Sequence, residues 1–174
     1  YEDGKAVGVV AKPDFADAPQ AARASVIIAD PTYLPEKKRT PMANTVVRSI
    51  MLTSAPPRGV KTTSAQVIVP QAQVGRRHDI YVSVMSAQHM VCAKGKYVCI
   101  ASTTQETKGP VDAELKPVLD LFEPGTVIAK FDSDAAVYQA QAKAPEDNVF
   151  CTGSYDATTH FESVMDDVAQ VWKL

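Results

Sequence analysis

Four runs between residues 45 and 104 constrain the fold more than any other feature. DIYVSVMSA (79–87) alternates clearly, with Ile80, Val82 and Val84 on one side and Tyr81, Ser83 and Met85 on the other. Successive side chains on a strand point to opposite faces, so this spacing predicts a half-buried strand. TVVRSIMLTS (45–54), AQVIVP (65–70) and KYVCIASTT (96–104) share the same richness in β-branched and aromatic residues. Pro56, Pro57 and Gly59 break the chain in a loop or hairpin connection over 55–64, and Lys94-Gly95 marks a turn. Together the four runs predict a meandering antiparallel sheet.

The flanking segments add strands and helices. GKAVGVVAKPDF (4–15) reads as a strand that leaves through Pro13, and RASVIIADP (23–31) as a second strand closed by Asp30-Pro31. PEKKRTP (35–41) reads as a loop or short helix end whose charge run is solvated. In PVDAELKPVLDLFEP (110–124) the period changes, because Leu115, Val118, Leu119 and Phe122 recur at helical spacing. Pro117 then lies near the first turn, where proline is tolerated, or kinks the helix. TVIAKFDSD (126–134) and DNVFCTGS (147–154) read as strands, with an Ala- and Gln-rich loop between them. Phe161, Val164, Met165, Val168, Val171 and Trp172 form one apolar stripe and predict an amphipathic C-terminal helix. The expected fold class is mixed α/β (α+β): a mixed or antiparallel sheet with a C-terminal packing helix.

A chain of 174 residues is long enough for one domain with its own core. A net charge of −2 gives no bulk attraction to nucleic acid or acidic lipid. No apolar run approaches the ~20 residues of a membrane-spanning helix. The three cysteines, Cys92, Cys99 and Cys151, are odd in number, form no C-x-x-C and sit in apolar contexts. Free buried thiols of an intracellular protein are expected, with pairing of two of them as the alternative. The sequence starts at Tyr1 without a methionine or signal peptide and ends inside a helical pattern. A fragment of a longer chain is therefore expected.

SYDATTHFE (154–162) gathers hydroxyl and acidic side chains around His160. Thr159 and Glu162 stand at capping-box spacing, so each can satisfy an amide at the start of the C-terminal helix. Asp156, upstream, suits the positive end of that helix or an Asx turn. The alternative makes His160 a general base oriented by Asp156, which requires a nucleophile, and no G-x-S-x-G elbow exists. No catalytic residue is assigned.

His78 and His89 are isolated and read as ordinary surface or core histidines. No His, Cys, Asp and Glu spacing resembles a metal site. Asp166 and Asp167 are neighbours on a helix and cannot both face one site, so solvent is expected to hold them. No G-x-G-x-x-G or Walker sequence is present, so no cofactor residue is assigned. Basic residues are scattered without interleaved aromatics, which argues against nucleic acid. Arg76-Arg77, just before Asp79, forms either a solvated turn or a dock for an acidic partner.

The blocks IIADPTYL (27–34), QVIVPQAQVGRRHDIYVSVMS (66–86), GKYVCIASTTQET (95–107), LKPVLDLFEP (115–124) and SYDATTHFES (154–163) carry a resemblance. In this order and nearly across the chain, they resemble the C-terminal part of the Rab GDP-dissociation inhibitors. Rab escort proteins share much of this pattern, but the compact spacing between blocks favours the inhibitors. The resemblance implies part of a domain shaped like flavin-dependent monooxygenases that binds no flavin. It implies a non-enzymatic cytoplasmic protein that holds GDP-loaded, prenylated Rab GTPases, shields their lipid and extracts them from membranes, with only transient membrane contact. No stable oligomer is implied. An escort protein, or the substrate domain of a flavin oxidoreductase, is the alternative.

The family's Rab- and prenyl-binding segments precede the blocks matched here, so the resemblance transfers no binding residue to a position in this chain. The chain is expected to be scaffold, with apolar edges that the preceding segments would cover. Accordingly, the separated 174 residues should melt at a low midpoint, bind a hydrophobic dye and capture prenylated GTPase poorly. Calorimetry, dye fluorescence and a pull-down check this; cooperative melting of a dye-silent monomer at high temperature would contradict it.

Overall fold

A computed structural model describes residues 1–12, 14, 17–141, 145–154, 157 and 161–173, with backbone alone at 161–163. In chain order the strands are β1 (Gly8–Ala11), β2 (Gln20–Arg23), β3 (Ile27–Ala29), β4 (Thr40–Thr53), β5 (Ser64–Val69), β6 (Ile80–Ser86), β7 (Tyr97–Thr104), β8 (Val127–Gln139) and β9 (Val149–Cys151). The helices are α1 (Gln71–Val74), α2 (Val111–Leu119) and α3 (Phe161–Lys173). The class is mixed α/β. The described residues fall into two compact units, one drawn from Ala43–Val137 and Asp156–Thr159, the other from Tyr1–Met42, Tyr138–Tyr155 and His160–Leu174.

The first unit is built on the five-stranded sheet, ordered β5-β6-β7-β4-β8. β5, β6 and β7 form consecutive antiparallel pairs. β4 precedes them in sequence yet pairs antiparallel with β7, from Val46 opposite Thr104 to Thr53 opposite Tyr97. The predicted meander is therefore corrected to a Greek-key order. β7 thereby has a hydrogen-bonded strand along each edge, β6 on one and β4 on the other. The chain enters β7 through Gly95, whose φ of +76° is a left-handed conformation that suits glycine.

One face of this sheet is closed. Met51, Ile80, Val82, Val84, Cys99 and Ala101 pack against Leu115 and Val118 of α2 and against Phe122, all buried. The two-residue period of the strands and the 3.6-residue period of α2 meet in this cluster, which makes burial additive along each element.

Other boundaries differ from the sequence reading. Pro117 is the seventh residue of α2, not a first-turn residue. It removes only the hydrogen bond that would close on Ala113, and the helix ends two residues later, so the cost is confined to the last turn. β4 already starts at Thr40, after a short 3-10 turn at Glu36–Lys38, so the predicted loop at 35–41 is shorter than expected. β8 runs to Gln139, through residues read as loop, because pairing with β4 overrides the weak strand preference of its alanines.

In the second unit the predicted strand over 23–31 is split. β2 pairs antiparallel with β1, and β3 pairs parallel with β9, Ile27 opposite Val149 and Ala29 opposite Cys151. Lys38 and Asp147 form an ion pair that is largely shielded from solvent. α3 forms as predicted, but Met165, Val168 and Trp172 of its stripe are exposed. Asp167 is corrected from a solvent-held acid, since its Oδ2 accepts the amide of Gly153 at 3.0 Å.

Met51 is fully buried in the cluster. Met51→Ala should lower the unfolding free energy by about 2–5 kcal/mol, read as a shifted denaturant midpoint at unchanged slope. Exposed Ile68 on the edge strand β5 should tolerate the same change with a far smaller shift.

Candidate functional site

Of the charged and polar residues that the sequence singles out, Arg76, Arg77, His78 and Asp79 lie at one end of the sheet, beside Glu106, Thr107 and Glu114, which it does not single out. α1 and its left-handed Gly75 turn the chain out of β5 and place Arg76, Arg77, His78 and Asp79 ahead of β6. The loop after β7 brings Glu106 and Thr107 to the same place, and the first turns of α2 bring Glu114. Glu114 lies three residues after Val111 and four before Val118, on the buried face of α2, and is 1% exposed. An isolated carboxylate there would cost several kcal/mol of desolvation, so it must be paired.

Arg76 supplies the pair. Its Nη2 stands 2.8 Å from Glu114 Oε2 and donates to the Thr104 carbonyl at 3.0 Å, while Nη1 donates to the Glu114 carbonyl at 3.2 Å. The amide and hydroxyl of Thr107 donate to Glu114 Oε1 at 2.7 and 2.6 Å. Glu106 Oε1 accepts the amides of Arg77 and His78 at 2.9 Å each and lies 3.1 Å from His78 Nδ1 and 3.6 Å from Arg76. Arg76 is thus corrected from a solvated or partner-docking residue to an internal tie, and His78 is fixed by a carboxylate rather than isolated.

Burial opposes ionisation of Glu114, but the Thr107 hydroxyl, the Arg76 guanidinium and the Thr107 amide outweigh it and hold the carboxyl below its ordinary range. For Glu106, burial is likewise outweighed by the Arg77 amide, the His78 ring and Arg76.

Beside this cluster lies a cleft of about 380 Å³ lined by Asn44, Gln71, Arg77, His78, Asp79, Tyr81, Thr104 and Ala157. The Asp79 carboxylate accepts the Gln71 amide at 2.8 Å and the Tyr81 hydroxyl at 3.3 Å. Asp79, the one carboxylate among these lining residues, is thus already committed to an amide and a hydroxyl. Such a rim can hold a polar main chain, and it presents no activated nucleophile.

Within SYDATTHFE (154–162), Ala157 is described: it is buried with Val46 and Val137, and its carbonyl accepts the Ser102 hydroxyl at 2.5 Å. Asp156, Thr159 and His160 lie outside the described residues, as does the Glu162 side chain, so both the capping box and the His160–Asp156 arrangement fall there.

Cys99 and Cys151 are buried and free as expected, whereas Cys92 is only half-buried. Burial pushes the thiols of Cys99 and Cys151 above the ordinary range, which disfavours thiolate chemistry. Among the described residues, no three His, Cys, Asp or Glu side chains are grouped to hold a metal, and no helix is long and apolar enough to cross a membrane.

The model of a family described as GDP dissociation inhibitor matches residues 1–174. This chain belongs to the GDP dissociation inhibitor family. The dog Rab GDP dissociation inhibitor beta is 38% identical over 173 residues, covering 99% of this chain and 36% of that protein. The Rab GDP-dissociation inhibitor of Saccharomyces cerevisiae is 40% identical over 151 residues, 86% of this chain and 33% of that protein. A crystal structure of Rab GDI from Plasmodium falciparum aligns with a TM-score of 0.78 at 36% identity, covering 95% of this chain and 40% of that one. The family identified from the sequence blocks is thus the family found, with the mixed α/β fold expected of it. Its name describes a regulator of nucleotide release rather than a catalyst. The chain spans about a third of the length of the relatives it matches.

The Arg76 tie was missed in the sequence, although one signal was present: Glu114 occupies an apolar position of the α2 pattern, and a buried acid demands a partner. Arg76→Ala should cost about 3–5 kcal/mol, because it leaves Glu114 buried and uncompensated. With their pKa values lowered on folding, Glu114 and Glu106 contribute stability fully present above the ordinary glutamate range. That contribution is lost as pH falls from there through the lowered folded values. Denaturant midpoints across acidic pH should fall less steeply in Arg76→Ala than in the parent.

Proposed function

We propose that the full-length protein containing this chain is a Rab GDP-dissociation inhibitor. It binds prenylated Rab GTPases in the GDP form, slows GDP release and takes the GTPases off membranes for recycling in vesicular transport. The observation that carries this reading is the 38–40% identity to Rab GDP dissociation inhibitors across 86–99% of the chain. The protein acts without catalysis, from the cytoplasm and with transient visits to membrane surfaces. Residues 1–174 serve as part of the larger sheet-rich domain, and the segments that grip the GTPase and its lipid lie elsewhere in the polypeptide. The closed core under α2 and the ion-paired carboxylates around Arg76 suit a scaffold.

The full-length protein should slow release of a fluorescent GDP analogue from a prenylated Rab and leave the GTP-loaded form unaffected. It should also move that Rab from vesicles to the supernatant. Equal binding to both nucleotide states, or no extraction, would overturn the proposal.

A further inference from the structure

The connection from β6 to β7 ends in a tip whose residues do not match a turn meant for water. A 3-10 turn over Ala87–His89 is capped by the Ser86 hydroxyl, which accepts the Gln88 amide at 3.3 Å. Met90 follows with a φ of +59°, in the left-handed region that glycine and asparagine adopt most readily. Its side chain is 91% exposed, and that of Val91 beside it is 48% exposed. The backbone holds the tip in place. The Met90 amide donates to the Ala87 carbonyl at 3.0 Å, the Lys96 amide to the Ala93 carbonyl at 3.0 Å and the Ser86 amide to the Thr63 carbonyl at 2.9 Å. The Cys92 thiol donates to the Lys96 carbonyl at 3.2 Å. A turn that only reversed the chain would carry a small polar residue at the left-handed position. Here two neighbouring apolar side chains are fixed outward instead.

The free charges around the tip are of one sign. Lys94 and Lys96 belong to the same connection, and Lys61 lies in the segment that the Ser86–Thr63 hydrogen bond holds beside it. None of these three lysines has an ion-pair partner among the described residues. The carboxylates that follow α2 at this end of the sheet, Asp120 and Glu123, are taken by Lys116 and Arg58. Between Glu36 and Glu106 the sequence holds ten Lys and Arg and one acid, Asp79, which lies at the opposite end of the sheet. The net charge of −2 conceals this segregation, and a surface meets the local charge rather than the total.

We propose that this tip is the contact with an anionic lipid bilayer. Met90 and Val91 enter the headgroup layer, while Lys61, Lys94 and Lys96 lie against its negative charges. A projecting tip with two apolar side chains fits a fluid layer that opens around it. Lysines suit the rim, because their apolar stems follow the tip inward while the ammonium groups stay at the level of the headgroups. The charge complements the negative potential of a membrane rich in acidic lipid. The inference rests on the membrane visits proposed above and names the place in the fold where they occur.

The test uses the full-length protein, without a GTPase, and vesicles of phosphatidylcholine with or without about one-third phosphatidylserine. The protein should sediment with the anionic vesicles and not with the neutral ones, and added salt should release it. Met90→Asn, which suits the left-handed backbone, should weaken binding at least about fivefold. Lys94→Gln should also weaken it about fivefold. Lys108→Gln, the same charge change beyond the other end of β7, should leave it unaltered. Failure to sediment with anionic vesicles would overturn the proposal. Binding that Met90→Asn leaves intact would overturn it too, and would assign the tip to the rest of the polypeptide or to a protein partner. An equal loss in Lys94→Gln and Lys108→Gln would reduce the effect to bulk charge and likewise overturn it. Slowed GDP release from a prenylated Rab in solution should be the same in all variants. Its absence from the parent would overturn the proposed function instead, while the vesicle result still decides the role of the tip.

Discussion

The Glu114 carboxylate is the constraint around which the end of the sheet is arranged. It sits 1% exposed on the core face of α2, where water cannot stabilise its charge. Every group that answers it comes from a different element: Arg76 from the turn after β5, and Thr107 from the loop after β7. Because the same guanidinium also takes the carbonyls of Thr104 and Glu114, the two connections cannot move independently of α2. A second carboxylate, Glu106, then fixes the amides of Arg77 and His78. Replacing such a network with apolar residues need not destabilise a fold, but removing one member leaves a buried charge alone. The network therefore acts as a specification of geometry more than as a source of net stability.

The two sides of the sheet show how differently the same strand pattern can be used. On one side α2 and Phe122 complete a core in which Met51, Ile80 and Cys99 are fully buried. On the other, the central strands carry isoleucine, leucine and valine where water would favour polar residues. α3 has the same character, with Trp172 89% exposed and Met165 60% exposed at the stripe the sequence predicts to be apolar. The chain spans about a third of the length of the relatives it matches.

For function, the informative point is where chemistry is absent from the arranged groups. The carboxylates near the cleft are committed to amides, hydroxyls and guanidinium, and the two buried thiols are pushed away from the thiolate form. A fold shared with flavoproteins carries no activity by itself, because function resides in sites rather than architecture. Membership of the GDP dissociation inhibitor family agrees with an arrangement of residues that positions and supports.

Local pattern alone determined a good deal. β5, β6 and β7, the alternation that sets Ile80, Val82 and Val84 on one face, a helix within 110–124 (observed over Val111–Leu119) and the family itself were legible, because periodicity and sequence blocks are properties of neighbouring residues. The Greek-key position of β4, the parallel pairing of β3 with β9, the extension of β8 to Gln139 and the partners of Arg76 and Asp167 were decided by tertiary structure. Each depends on residues far apart in the chain: Arg76 and Glu114 are separated by 38 positions. Charge spacing along a sequence cannot reveal such a pair, since the loss of water that makes it necessary occurs only when the sheet and helix close over it.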